Sequence, residues 1–186
     1  MATSRDQKRK KVIDALNKAR SLELNAIAQY MNHHYNLANM DYGDMAANLK
    51  LIAIDEMRHA EMFAERIEEL GGQPTTEPAG SPFKDGEPAA IFDSDTRLED
   101  GAIGHYNKFL LICRENGDSS SVKLFEQIID DEQIHFNYFD SVRGHIARLG
   151  ETYLAQIAGT PSSTGIQYQG FVARLGGGQG GANPGA

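Results

Sequence analysis

The stretch LKLIAIDEMRHAEMFAERIEELGG, Leu49–Gly72, decides the fold. Together with the residues just before it, it spaces Met45, Leu49, Ile52, Glu56, His59, Phe63, Ile67 and Leu70 in alternating steps of mostly three and four. That spacing is one face of a helix packed in a bundle. The seam is not wholly apolar: Glu56 and His59 stand where Leu or Ile would normally pack. Asp41 or Asp44 offers a start for this helix, and Gly71-Gly72 a stop.

Three further segments share the period. The first reads Val12, Leu16, Ala19, Glu23, Ala26, Tyr30, His33, Leu37, with Ser4 and Gln7 resembling a capping box at its start. The third reads Glu99, Ala102 or Ile103, Tyr106, Leu110, Cys113 and ends at Gly117; the fourth reads Phe125, Ile128, Glu132, His135, Phe139, Val142, Ile146, Leu149, capped by Asp118 or Ser119. Nothing reads as a strand. A short apolar piece, Tyr153, Leu154 and Ile157, predicts a fifth, short helix ending at Gly159 and Pro161. The expected fold is all-α: a four-helix bundle over residues 1–160 with this short helix at its end. Residues 161–186 are expected to be a Gly-rich flexible tail.

The connections set the topology. Between Gly71 and Ser94 lies a long segment holding Pro74, Pro78, Pro82 and Pro88. A loop of that length needs a structural reason. Fully extended it reaches roughly 75 Å, and a helix of about 30 residues spans about 45 Å. The segment can therefore return along the whole bundle and make the second and third helices parallel, the one-crossover topology. The other two connections are short and predict hairpins.

Composition narrows the function. With 186 residues and 40% hydrophobic content, the chain can bury one sizeable core. No apolar run approaches the roughly 20 residues of a membrane helix. The start, MATSRDQKRKK, has no apolar region behind it, so no signal peptide is expected. A net charge of −8 argues against nucleic acid as a partner, and Lys8 to Lys11 read as the solvated face of a first helical turn. The lone Cys113 excludes an internal disulfide framework and fits a reducing cytoplasm.

A repeat points to the chemistry. Glu23, Tyr30, Glu56 and His59 each have a like residue 76 positions later: Glu99, Tyr106, Glu132 and His135. In each half a Glu precedes a Glu-x-x-His motif by 33 residues. Counted from the hairpin turns at Asp41 and Gly117, the three polar residues of each half come to one height. Buried ionised carboxylates without partners cost several kcal/mol, and four together repel. No Lys or Arg lies on these seams near them. Two divalent cations solve the charge problem, and this ligand set is the described signature of di-iron and di-manganese carboxylate bundles.

On these residues the chain resembles bacterioferritins over roughly positions 5 to 160, most specifically at Leu49–Gly72. The resemblance implies terminal ligation of one iron by Glu23 and His59, of a second by Glu99 and His135, and bridging by Glu56 and Glu132. It implies iron storage and detoxification, with ferroxidase centres that oxidise Fe(II) with O2 or peroxide and deliver Fe(III) into a 24-subunit shell. Tyr30 would be a hydrogen-bonding or redox-active neighbour; Tyr106 has the matching position, with core packing equally open. Met57 would be an axial haem ligand, one from each of two subunits, giving one haem per two-fold dimer. The haem would be linked to iron release, with a small ferredoxin as donor. Where many members have a His five residues before the first bridging Glu, this chain has Leu51, although Asp55 remains. The remaining histidines, His33, His34, His105 and His145, read as core-edge or surface residues.

From spacing alone, Met57 suits a dimer interface as well as haem. Ala46, Ala53, Ala60 and Ala64 on its face, and Leu24, Ala28 and Met31 on the first helix, would leave room for a flat ring. The ligands do not fix the metal, so a di-manganese or di-iron enzyme acting on peroxide without storage is the alternative. A helical dimerisation module with a buried polar network is the non-enzymatic one.

Overall fold

The computed structural model describes residues 3–84, 86–162 and 170–176. Four long helices dominate it: α1 (Ser4–Asn39), α2 (Gly43–Glu69), α3 (Pro88–Glu115) and α4 (Ser119–Leu149). Two short ones follow, α5 (Glu151–Ile157) and α6 (Phe171–Gly176). The all-α reading and the short fifth helix hold.

The helix ends follow their local chemistry. The cap of α1 is one residue earlier than expected: Thr3 and Asp6 form the capping box, not Ser4 and Gln7. Gly71 (φ +72°) closes α2, with the Gly72 amide donating to Ile67 O at 2.9 Å. Asp118 caps α4 by accepting from the Ser121 amide at 3.0 Å. Arg66 of α2 fixes that cap, its Nη2 lying 2.8 Å from both Asp118 oxygens. Helix α3 begins at Pro88, well before Glu99; proline is favoured in a first turn, where no intrahelical donor is lost.

The long connection runs along α1. Its backbone is held in order by Asn17 (to Gln73 O and the Thr75 amide), Arg20 (to Thr75 O), Ser21 (to Glu77 O and the Ala79 amide) and Gln29 (to the Phe83 amide). His33 Nε2 then meets Phe83 O at 3.0 Å. From Asn17 to His33 the loop climbs about 24 Å of helix. Thus α3 starts at the opposite end from where α2 stops and runs parallel to it.

His33 departs from the expectation of a core-edge residue. It is fully buried, with Nδ1 2.9 Å from Asp95 Oδ2 of α3. Gln29 Nε2 also donates to Asp95, at 2.8 Å. Burial pushes the Asp95 carboxyl above its usual range, with His33 and Gln29 pulling the other way. The pair ties the upper loop and the start of α3 to α1.

Two apolar clusters fill the bundle. One gathers Leu37, Met45, Leu49, Ile52, Ile91, Phe92 and Phe139; the other gathers Val12, Leu16, Phe63, Ile67, Tyr106, Phe125 and Ile128. The carboxylates lie between them, so apolar packing above and below fixes a polar layer at mid-bundle. The tail carries an element the sequence did not suggest: α6 packs on α2 and α4, with Phe171 buried. Residues 177–186 lie outside the described residues.

Candidate metal centre

Each long helix contributes one or two side chains to the polar layer. Glu23 comes from α1, Glu56 and His59 from α2, Glu99 from α3, and Glu132 and His135 from α4. All six are buried. Ligand-capable atoms of Glu23, Glu56, His59 and Glu132 lie within 4.8 Å of one another, as do those of Glu56, Glu99, Glu132 and His135. Glu56 and Glu132 belong to both groups. The structure therefore brings together all six residues singled out from the repeat.

The geometry repeats across a pseudo-twofold. His59 Nδ1 lies 3.1 Å from Glu56 and 3.3 Å from Glu132. His135 Nδ1 lies 3.1 Å from each of the same two carboxylates. Tyr30 Oη donates to Glu99 at 2.5 Å, and Tyr106 Oη donates to Glu23 at 2.6 Å. Tyr106 thus pairs with the centre as directly as Tyr30 does. Burial, reinforced by the adjacent carboxylates, pushes both phenols well above their usual range and keeps them donors.

The sequence reading missed two residues of this constellation. Asp131 Oδ2 lies 3.2 Å from His59 Nε2, and Asp55 Oδ2 lies 3.5 Å from His135 Nε2. Each aspartate reaches the histidine of the other half. They turn the imidazoles so that Nδ1 faces the carboxylate cluster, the arrangement that orients metal-ligating histidines. The signal was available: Asp55 and Asp131 directly precede the two motif glutamates and are themselves 76 residues apart.

Electrostatics divides the six groups. Burial, then repulsion from Glu132 and Glu56, pushes Glu23 and Glu99 well above the usual carboxyl range. Burial also opposes the charged forms of Glu56 and Glu132, but their contacts with both imidazoles outweigh it and lower them. Burial opposes imidazolium at His59 and His135, yet the surrounding carboxylates raise both well above the usual histidine value. Without metal, these directions favour protons on Glu23, Glu99 and the two imidazoles, and charge on Glu56 and Glu132. Glu56 Oε1 and Glu132 Oε1 are buried, 3.1 Å from His135 Nδ1 and 3.3 Å from His59 Nδ1 but without hydrogen-bond geometry. Such oxygens, both facing the centre and belonging to the shared residues, fit divalent cations.

A cavity of about 120 Å³ opens between α1 and α3 and ends on Glu23, Glu56, Glu99 and Glu132. Leu22, Ala26, Leu98, Gly101 and Ala102 line its outer part. A Cβ added at Gly101 would meet nothing within 4 Å, so this side chain's absence keeps the passage wide.

The comparisons agree with this centre. The Ferritin-like domain family matches residues 13–149. Bacterioferritin of Desulfovibrio desulfuricans is 56% identical over 172 residues, covering 92% of this chain and 96% of that one. The chain belongs to the bacterioferritins. The bacterioferritin of Mycobacterium leprae is 33% identical, over 82% of this chain and 96% of its own length. A crystal structure of the Desulfovibrio desulfuricans bacterioferritin, describing its diiron site in different catalytic states, superposes with a TM-score of 0.87 at 55% identity, covering 91% of this chain and 99% of that one. Mycobacterium tuberculosis bacterioferritin superposes at 0.77 with 32% identity, covering 82% and 96%. Membership supports a centre for two iron ions, and iron storage with ferroxidase chemistry, in this bacterioferritin. Among its described residues no helix is long and apolar enough to cross a membrane.

Met57 stands apart from the centre, on the outer face of α2 and 46% exposed. Of the small residues on its side of α2, Ala46, Ala53 and Ala60 are buried. Leu51, the position where relatives were expected to have His, is fully buried in the core. Cys113 is buried too, which, with the Asp118 charge, pushes its thiol up to about 12 and makes it inert.

Proposed function

We propose that Glu23 and His59 bind one Fe(II), Glu99 and His135 bind a second, and Glu56 and Glu132 bridge them. The observation that carries this reading is the pair of overlapping ligand groups that share the buried carboxylates of Glu56 and Glu132. Carboxylate and imidazole donors suit iron in both oxidation states. Bound there, two Fe(II) ions supply one electron each to O2 or peroxide.

The chain's own groups do the rest. Tyr30 and Tyr106 hold Glu99 and Glu23 in place by donating one hydrogen bond to each. Asp131 hydrogen-bonds the far nitrogen of His59, and Asp55 faces the far nitrogen of His135 at 3.5 Å, which leaves the near nitrogens toward the ions. The α1–α3 passage, lined by Leu22, Ala26, Leu98 and Ala102 together with Arg97 and His105, admits small species from that face. Tyr30, hydrogen-bonded to Glu99 at 2.5 Å, is placed to give up an electron to the centre.

The storage reading extends this to a 24-subunit shell built from two-fold dimers, taking Fe(III) from each centre into its cavity. The exposed thioether of Met57 supports haem ligation by two such residues across a dimer, one haem per pair, linked to iron release with a small ferredoxin as electron donor. The buried, unpaired Cys113 supports a cytoplasmic setting. The test is purification of the native particle. A mass near 24 times 20.4 kDa, a Soret band and oxidation of two Fe(II) per subunit are expected. A colourless dimer that takes up no iron contradicts the storage reading.

A further inference from the structure

The pseudo-twofold of the centre is broken at one place, and the chain's own C-terminal helix breaks it. The Val172 amide at the start of α6 donates to Asp55 Oδ2 at 3.0 Å. Arg58 Nη1 approaches the other oxygen at 3.2 Å. Gly170 sits so close that a Cβ there would fall 1.7 Å from Asp55 Oδ1, so any other residue forces the Asp55 carboxylate out of its present position. Phe171 is 5% exposed, its ring centroid 4.9 Å from that of Tyr138 and 6.4 Å from that of His135. On the other half nothing equivalent covers Asp131 among the described residues: its side chain is 27% exposed against 6% for Asp55.

We propose that α6 is a plug on the α2–α4 face of the metal centre, closing the Glu99/His135 position and leaving the Glu23/His59 position open past Asp131. A metal ion leaving by this face needs an oxygen donor to receive it. Asp131 can turn to do so. Asp55 cannot, because both its oxygens are engaged and the buried Phe171 ring packs beside its histidine. Gly170, Phe171 and Val172 are positioning residues in this scheme: they act on the centre through Asp55 and His135 and touch no metal. Through the α2–α4 face the two ions therefore exchange at different rates, whereas the α1–α3 passage reaches Glu23 and Glu99 alike; the C-terminal segment sets the difference. This inference rests on the two-metal reading above.

The test loads the assembled metal-free protein with two Co(II) per subunit and follows their visible absorption after excess chelator. Two phases of equal amplitude are expected, the slower by about tenfold or more, the rate ratio for ~1.4 kcal/mol of docking. In Gly170→Ala and in Phe171→Asp the slow phase should merge with the fast one while two Co(II) still bind. Hydrogen exchange at the Val172 and Arg174 amides reports docking independently of metal: protected in the parent, unprotected in the variants. A single phase in the parent overturns the plug, as do unprotected α6 amides in the parent. A slow phase that persists once α6 is released overturns it as well. Failure of the parent to bind Co(II) at all is a different result and overturns the two-metal reading itself.

Discussion

Loading the metal-free protein with a divalent ion should expel protons in a number set by the structure. Burial and repulsion from Glu132 and Glu56 push Glu23 and Glu99 well above the usual carboxyl range, and the carboxylates around His59 and His135 raise both imidazoles against burial, so all four favour their protonated forms. All four must lose a proton to become ligands, whereas Glu56 and Glu132 are already ionised. Two Zn(II) ions bound near pH 6, below the ordinary histidine value of 6.5, should therefore release about four protons per subunit. Affinity rises with pH until these groups titrate, and release then falls. Calorimetry in buffers of different ionisation heat counts the protons directly. Release of fewer than about one proton per subunit refutes the charge partition.

Other expectations follow from the same residues. Folded-state values above the unfolded ones mean that the stability from Glu23, Glu99, His59 and His135 is present in acid and is lost as pH rises through those raised values. The metal-free protein should thus melt lower at pH 9 than at pH 6, each ~1 kcal/mol lost lowering Tm by about 2–4 °C; an unchanged or higher Tm at pH 9 contradicts this. Glu132→Ala removes a residue shared by both ligand groups, so rapid oxidation of two Fe(II) per subunit by that variant would sink the bridging assignment. Met57→Leu should abolish porphyrin binding and leave ferroxidation largely intact, and retained stoichiometric haem excludes this ligand. Asp118→Ala loses the α4 cap and the partner of Arg66, costing about 1–3 kcal/mol by denaturant unfolding; a change under a few tenths contradicts the structural role.

What the sequence showed and what it hid have physical causes. Helical seams and hairpins were legible because periodicity and turn residues are local. The ligand set was legible because polar residues on an apolar seam conflict with burial, and the 76-residue offset doubled the signal. The partnership of His33 with Asp95 was not legible: the two lie 62 positions apart on different helices, with no shared period. Helix α6 was hidden for a related reason. Six residues at the edge of a Gly-rich tail have too little amphipathic pattern to announce docking, and the feature that matters is the close approach of Gly170 to Asp55.

The central claim is that two metal ions sit between Glu56 and Glu132. Anomalous diffraction at the iron edge from crystals soaked anaerobically in Fe(II) tests it most directly. Two peaks about 3.5–4 Å apart, one beside His59 and one beside His135, are predicted. A single peak, or none within reach of both shared carboxylates, would contradict the account.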